Sequence, residues 1–165
     1  MELLKEIKDA DWPKDLHTLQ NREAARGVFF DDQEKVALLF ISAHKYHKLP
    51  GGGIDAGENK EEALKRELLE EVGSDIEIDG YLGTIIEFRS HYDLKQTSHC
   101  YYGKVLSKGE PSFTQKELGN GFQIVWMKLE DAISTLQNDQ PESYPGRFIQ
   151  ERDLEILKRV QEKTA

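Results

Sequence analysis

The chain has one cysteine, Cys100, so it closes no disulfide within itself and builds no cysteine metal cluster; a reducing, cytoplasmic setting is expected. Long apolar runs are missing as well. The longest purely aliphatic and aromatic stretch, Val36 to Ile41, falls far short of the ~20 residues that cross a bilayer. The opening MELLKEIKDADW mixes acids with bases and has no apolar stretch resembling a secretory signal. Positive charge is scarce, with 22 Lys and Arg against 31 Asp and Glu and a net charge of -9. That balance opposes binding along a polyanion or an anionic bilayer, so neither a long nucleic acid nor a membrane is expected as a partner. No Walker-type glycine loop is present, and His44, His47, His91 and His99 lack the i, i+4 pairing or cysteine partners of a zinc site. They read as surface or strand histidines. No repeat or low-complexity tract interrupts the chain.

What remains is the composition of a globular domain: 165 residues, 38% hydrophobic and 32% charged, enough for one core and too few for two. Residues 1–22 read as an N-terminal extension, in which Leu3, Leu4 and Ile7 have helical spacing and Trp12-Pro13 ends any helix. Residues 23–165 read as a single domain that includes a C-terminal helix. Gly27 to Phe30 and Val36 to Ile41 predict two antiparallel strands around the polar stretch Asp31 to Lys35. Further strands are expected at Tyr81 to Phe88, Thr97 to Leu106 and Phe122 to Leu129, and helices at Leu129 to Leu136 and Phe148 to Val160, the latter with Ile149, Leu157 and Val160 among charges.

The segment that carries chemistry is LPGGGIDAGENKEEALKRELLEEVGS, Leu49 to Ser74. Asn59 with Glu62 three residues on is a capping box, and Gly73 is a helix-ending residue, so a helix is predicted from Lys60. At ~3.6 residues per turn, Glu67, Glu70 and Glu71 share a face beside the apolar stripe Leu64, Leu68 and Val72. Carboxylates so spaced repel by a few tenths of a kcal/mol per pair. Mg²⁺, a hard ion that binds through a few carboxylates together with phosphate oxygens, would offset that repulsion. The glycines Gly51, Gly52, Gly53 and Gly57 let the preceding loop turn sharply and approach a ligand. Surface helices are often Glu-rich, and composition alone fits a solvated face on which Arg66 pairs with Glu70.

The complete pattern is more specific: Gly52, Glu58, Arg66-Glu67, Leu68, Leu69, Glu70-Glu71, Val72 and Gly73 at these intervals resemble the signature of the Nudix hydrolases. Ser74 stands where the family box ends on an apolar residue, with Ile76 close enough to substitute in the packing. The resemblance implies an α/β fold, a Nudix-type α/β/α sandwich with a mixed β-sheet. It implies hydrolysis of a pyrophosphate linkage in a nucleoside diphosphate attached to another group, with Mg²⁺ or Mn²⁺ as cofactor. It also implies metal ligands at Glu67, Glu70 and Glu71, an auxiliary ligand at Glu58, and Arg66 orienting the carboxylates, with Glu70, Glu71 and Arg66 counted as catalytic.

Outside that segment, Glu117, in the polar stretch Thr114 to Gly121 between two strands, is the candidate general base; its bland reading is a solvated loop residue. Glu87 alternates with Ile86 and Phe88 and so faces away from them, towards the site or, as the slightly favoured reading, at an exposed strand position. Arg26 and Arg89 have the guanidinium geometry for phosphate, although each also reads as an ordinary surface cation. Arg26, Gly52 and Gly53 are the candidate substrate contacts. Tyr46, Tyr101, Tyr102 and Trp126 read as packing residues more readily than as base-stacking ones, and Cys100 as a small buried residue. The expected partner is a small nucleoside diphosphate derivative; a homodimer is left open. The competing functions are a non-catalytic Nudix-like binding module, which would show eroded carboxylates, and a structural interaction domain, which leaves the glycine-to-glycine pattern unexplained.

Overall fold

The computed structural model describes residues 2–9 and 19–165, so Trp12 and Pro13 lie outside the described residues. Within them one mixed sheet is formed by β1 (Leu3–Lys8), β2 (Gln20–Phe30), β3 (Lys35–Ile41), β4 (Tyr46–Lys48), β5 (Gly51–Gly53), β6 (Ile76–Arg89), β7 (Leu94–Val105) and β8 (Phe122–Lys128). The strand order is β1-β6-β7-β2-β3-β4, with β5 added on β2 and β8 on β3. β1 runs parallel to β6 and β2 parallel to β7, and the other pairs are antiparallel. Four α-helices accompany the described strands, α1 (Lys60–Val72), α2 (Gln115–Gly119), α3 (Leu129–Asn138) and α4 (Tyr144–Thr164), with a short 3-10 helix at Ser90–Tyr92.

Alternation along β2 and β3 divides the core in two. Ala25, Phe29 and Ala37 face Leu64, Leu68 and Val72 of α1, together with Ile76 and Tyr101. Val28, Val36 and Leu38 face the opposite side, where Ala132, Ile133 and Leu136 of α3 and Phe148, Ile156, Leu157 and Val160 of α4 cover them. The result is an α/β/α sandwich with a mixed sheet. Tyr46 packs with Leu39, Ile41 and Ile149, a core role, as Tyr101 has on the other face. Cys100 is fully buried, and burial pushes its thiol up to about 12, which leaves it unreactive.

The predicted hairpin forms: the Asp31 carboxylate accepts from the backbone N–H groups of Gln33 (2.9 Å) and Lys35 (2.8 Å) and fixes the turn. The two strands share only the Phe30–Val36 pair before parting, β2 towards β5 and β7, β3 towards β4 and β8. Helix α1 has the predicted ends. Asn59 accepts from the Glu62 N–H at 2.8 Å while the Glu62 carboxylate accepts from the Asn59 N–H at 3.2 Å, and Gly73 ends the helix at φ 70°, a left-handed conformation that suits glycine.

One expectation fails. Leu3, Leu4 and Ile7 lie not on a helix but on a strand, β1, at the edge of the sheet. The register against β6 passes from Leu3–Thr84 directly to Lys5–Ile85, so Leu4 is the extra residue of a bulge. The bulge turns Leu4 and Ile7 into the same core although they are three apart. A bulged strand thus reproduces the spacing of a helix.

Ser74 is fully buried beyond the end of α1, and its Oγ has no hydrogen-bond partner among the described residues. A buried hydroxyl without a partner costs about 1–3 kcal/mol, because water satisfies it in the unfolded chain. Ser74→Ala is therefore expected to stabilise the fold by about 1 to 2 kcal/mol, a rise of roughly 2 to 8 °C in melting temperature. A lower melting temperature would show that the hydroxyl is bonded after all.

Candidate active site

Helix α1 stands over the β4–β5 segment so that its carboxylates meet the glycine run. The Gly51 N–H donates to Glu71 Oε1 at 2.8 Å, and the Glu67 carboxylate lies against Gly52 so closely that a Cβ there would come within 2.5 Å of its Oε1. Glycine at position 52 is thus required by close approach. Glu67 and Glu71 are ~40° apart around the helix, but Glu70 is ~100° from Glu71. The three do not share one environment. Glu71 is 2% exposed, Glu67 is mostly buried, and Glu70 turns outward at 46% side-chain exposure. Burial pushes the Glu71 carboxyl up to about 7 even though the Lys48 ammonium, 4.0 Å away, and the Gly51 N–H favour the charged form. Burial likewise raises Glu67, against the pull of Arg66.

Arg66 ties this face to the loop. Its Nε donates to Glu58 at 2.7 Å, Nη1 to Glu67 at 3.0 Å, and Nη2 to the Gly53 carbonyl at 3.0 Å, with Glu70 3.4 Å from Nη1. Glu58 is therefore occupied by Arg66 and by the Asp55 N–H.

A cleft of about 350 Å³ opens in front of these carboxylates, lined by Glu67, Glu71, Gly51, Gly52, Gly53, Lys48, Arg22, Arg26, Arg89, Gln96, Arg152, Ile149, Phe122 and the Thr114–Asn120 corner with Lys116 and Glu117. Of the residues expected from sequence, Glu67, Glu71, Glu117, Arg26, Gly52 and Gly53 meet here. Arg66, Glu58 and Glu70 do not line it. Glu117 occupies a short helix and not a loop: Thr114 caps α2, and Glu117 Oε1 accepts from the Thr114 N–H at 2.9 Å. Among the described residues, no three His, Cys, Asp or Glu side chains converge as a ready-made metal cage. His47 pairs with Asp139, and His99 is buried between Glu23 and Tyr81.

The floor of the cleft corrects three more readings. Arg26 and Arg89 are not surface cations, being 3% and 7% exposed, and Glu87 is completely buried. Glu87 Oε1 accepts from Arg89 Nη2 at 2.8 Å and its Oε2 accepts from Gln96 Nε2 at 2.9 Å and Arg152 Nη1 at 3.2 Å. Burial would raise this carboxyl, yet Arg152 and Arg89 outweigh it and hold it down at about 2. Arg152 Nε donates to Asp153 Oδ1 at 2.7 Å, and Asp153 Oδ2 accepts from the Leu49 N–H at 2.8 Å. Arg152 and Asp153 went unnoticed in the sequence, although a signal exists. Phe148, Ile149, Ile156, Leu157 and Val160 define the buried stripe of α4, and Arg152 and Asp153 occupy the i+4 places in its middle. Charges inside an apolar stripe mark a buried pair.

A family model for the NUDIX domain matches residues 20–146. The chain belongs to the NUDIX family. No curated protein matches it significantly by sequence. Among solved structures, the fold is similar to a NUDIX hydrolase from Nitrosomonas europaea, with TM-score 0.65 and 13% identity over 87% of this chain and 90% of that one. It is also similar to the E. coli ORF135 protein, with TM-score 0.61 and 18% identity over 92% and 96% of the two chains. At such identities the likeness is one of fold, and it agrees with the sandwich described above. The matched span stops short of most of α4, so Arg152 and Asp153 lie outside it.

Glu87 gives this NUDIX chain a defined acid response. In the unfolded chain it takes up its proton near 4.5, and in the folded site only near 2. Its contribution, about 3 kcal/mol, is complete above 4.5 and is lost as pH falls towards 2. Glu87→Gln is expected to lower stability by about 3 kcal/mol at neutral pH by stranding buried guanidinium groups. That deficit should shrink below pH 4. Urea melts at pH 7 and pH 3 measure both, and an equal deficit at the two values would contradict the assignment.

Proposed function

We propose that this Nudix-type hydrolase cleaves the pyrophosphate linkage of a nucleoside diphosphate derivative, with Mg²⁺ or Mn²⁺ as cofactor. The observation that carries the reading is the polarity of the cleft: carboxylates Glu67 and Glu71 on the α1 wall, with Lys48 4.0 Å from Glu71, and Arg22, Arg26, Arg89 and Arg152 on the wall formed by β2, β6 and α4. A diphosphate is repelled by the first wall and attracted by the second, and a divalent ion at the first removes the conflict. The donor set suits such an ion. Glu67 and Glu71 offer hard oxygens, Gly52 leaves the approach free of a side chain, and two carboxylates suit an ion that would complete its coordination with phosphate oxygens and water. Glu70 stands as a further ligand only if its side chain turns in, and Glu58 as support for Arg66.

Bound there, the metal would supply positive charge to the scissile phosphate oxygens and acidify a water. The chain's own groups do the rest. Arg66 holds Glu67 in place through Nη1, and the Gly51 N–H holds Glu71. The cationic wall takes up charge on the departing phosphate. Glu117, across the cleft, accepts the proton of the attacking water. The new P–O bond forms as the bridging P–O bond breaks, so a nucleotide and a phosphorylated remainder leave. The fold lacks a helix long and apolar enough to cross a membrane among the described residues, and a small soluble substrate fits the cleft.

Incubation with a panel of nucleoside diphosphate derivatives and Mg²⁺, products read by mass, tests the reading. Nucleotide release that stops in excess EDTA supports it; binding without turnover of any compound would favour a ligand-binding module. Two substitutions divide the roles. Glu71→Gln is expected to lower turnover roughly 100-fold or more while the metal-free protein melts no lower than wild type, since a crowded, buried carboxylate has been neutralised. A lower metal-free melting point with normal turnover would make Glu71 structural. Glu117→Gln should reduce kcat by about 100-fold or more with metal affinity kept, as for a base and not a ligand.

A further inference from the structure

One histidine sits at the centre of a cluster outside the cleft. Tyr81 Oη and His99 Nδ1 lie 3.3 Å apart, and His99 Nε2 lies 3.1 Å from Glu23 Oε1. The three side chains come from successive strands of the sheet, Tyr81 from β6, His99 from β7 and Glu23 from β2. None of them lines the cleft. Along β7, His99 and Tyr101 alternate with Gln96, Ser98 and Cys100, so the cluster is on the α1 face of the sheet while Gln96 meets the arginines on the other. The register of β6 against β7 shifts on both sides of Tyr81, between Ile78 and Gly80 and again between Tyr81 and Gly83. Such bulges re-aim side chains, and here Tyr81, opposite Tyr101, reaches the imidazole two residues along β7.

The groups themselves set the direction of these bonds. The Glu23 carboxylate only accepts, so in the neutral imidazole Nε2 carries the proton, Nδ1 keeps its lone pair, and the Tyr81 O–H donates to it. A hydroxyl bonded to a base that a carboxylate orients is the arrangement that activates a nucleophile. Burial raises the Tyr81 phenol above its ordinary value, so it stays un-ionised at neutral pH and needs such a base. His99 is 2% exposed and Tyr81 37%, which shields the base while the phenol reaches solvent. Beside the cluster is a cavity of about 440 Å³, lined by Glu23, Ile54, Glu58, Lys60, Glu61 and Tyr101, whose ring is 5.0 Å from that of Tyr81. Three carboxylates against one ammonium make this cavity unfavourable for phosphates and favour a neutral reactant.

We propose that Tyr81 is a modification site, a reactive phenol that takes an acyl group from a neutral activated ester, with His99 as its base and Glu23 orienting the imidazole. The Tyr81 oxygen attacks the ester carbonyl carbon as its proton passes to His99 Nδ1. The new C–O bond forms, the bond to the departing alkoxide breaks, and the alkoxide takes the proton from the imidazolium and leaves as an alcohol. The acyl group stays on Tyr81 as an aryl ester. The site is independent of the hydrolase reading, since it shares no residue with the cleft.

Reaction of the metal-free protein with p-nitrophenyl acetate tests the proposal, with p-nitrophenol release followed by absorbance and the acetyl group located by peptide mass spectrometry. Wild type should carry it on Tyr81 roughly 10-fold or more above Tyr92, which is more exposed at 49% but is not bonded to a histidine among the described residues. Tyr81→Phe should remove the acetyl group at this position and the fast phase of p-nitrophenol release. His99→Gln should slow Tyr81 acetylation roughly 10-fold or more, and Glu23→Ala, at an exposed side chain, roughly 5-fold. Melting curves show whether each variant is folded, and Glu23→Ala decides if His99→Gln is not. Acetyl groups spread over tyrosines and lysines according to exposure, or an unchanged Tyr81 rate in a folded variant, would overturn the proposal. A hydrogen-bond network with a purely structural role would give lower melting temperatures with Tyr81 no more reactive than Tyr92.

Discussion

The carboxylate of Glu87 is the junction on which the site depends. It is fully buried, and it draws Arg89 from its own strand, Gln96 from the neighbouring strand and Arg152 from the C-terminal helix to one point beneath the cleft. Burying these charges is costly, and their mutual bonding does little more than offset that cost. What the arrangement contributes is position. Asp153, next to Arg152, also accepts the Leu49 N–H, so the same cluster anchors the chain just before the glycine run. The run in turn donates from Gly51 to Glu71. A path of hydrogen bonds therefore connects the cationic wall of the cleft to its acidic wall through fixed backbone.

That connection explains the distribution of charge. An acidic helix face with no counterpart would be solvated, and a cluster of arginines with no counterpart would be driven apart. Here each is held by backbone and by one well-placed opposite charge: Arg66 for Glu67, Lys48 for Glu71, Glu87 for Arg89 and Arg152. The surplus on both walls points into the same cleft. A ligand carrying phosphate together with a divalent ion would complement both surpluses, whereas either component alone would meet one of them.

Much of this was legible in the residues. The capping box at Asn59, the stop at Gly73 and the stripe of Leu64, Leu68 and Val72 define α1 because the signals are local, and local signals survive folding. The main strands after residue 20 were legible for the same reason. The bulge at Leu4 was not, since it depends on register against a strand some eighty residues away. Nor was the burial of Arg26, Glu87 and Arg89, which alternation places on a face but which only packing of α4 covers. The equivalence of Glu67, Glu70 and Glu71 also dissolved: a helix has room for neighbouring carboxylates on one face, but the glycine run reaches only two of them. Ser74 and the α4 pair Arg152-Asp153 were visible anomalies, a hydroxyl and two charges in apolar places, whose meaning needed the partners.

The most direct test of the central claim is crystallographic. Crystals soaked with Mn²⁺ and a non-hydrolysable nucleoside diphosphate analogue, with the ion located by its anomalous scattering, report both walls at once. The account predicts an ion at bonding distance from the Glu67 and Glu71 carboxylates, with the diphosphate bridging it to the arginine side. An ion bound elsewhere, or a diphosphate on the arginines with the two glutamates bare at saturating Mn²⁺, would contradict it.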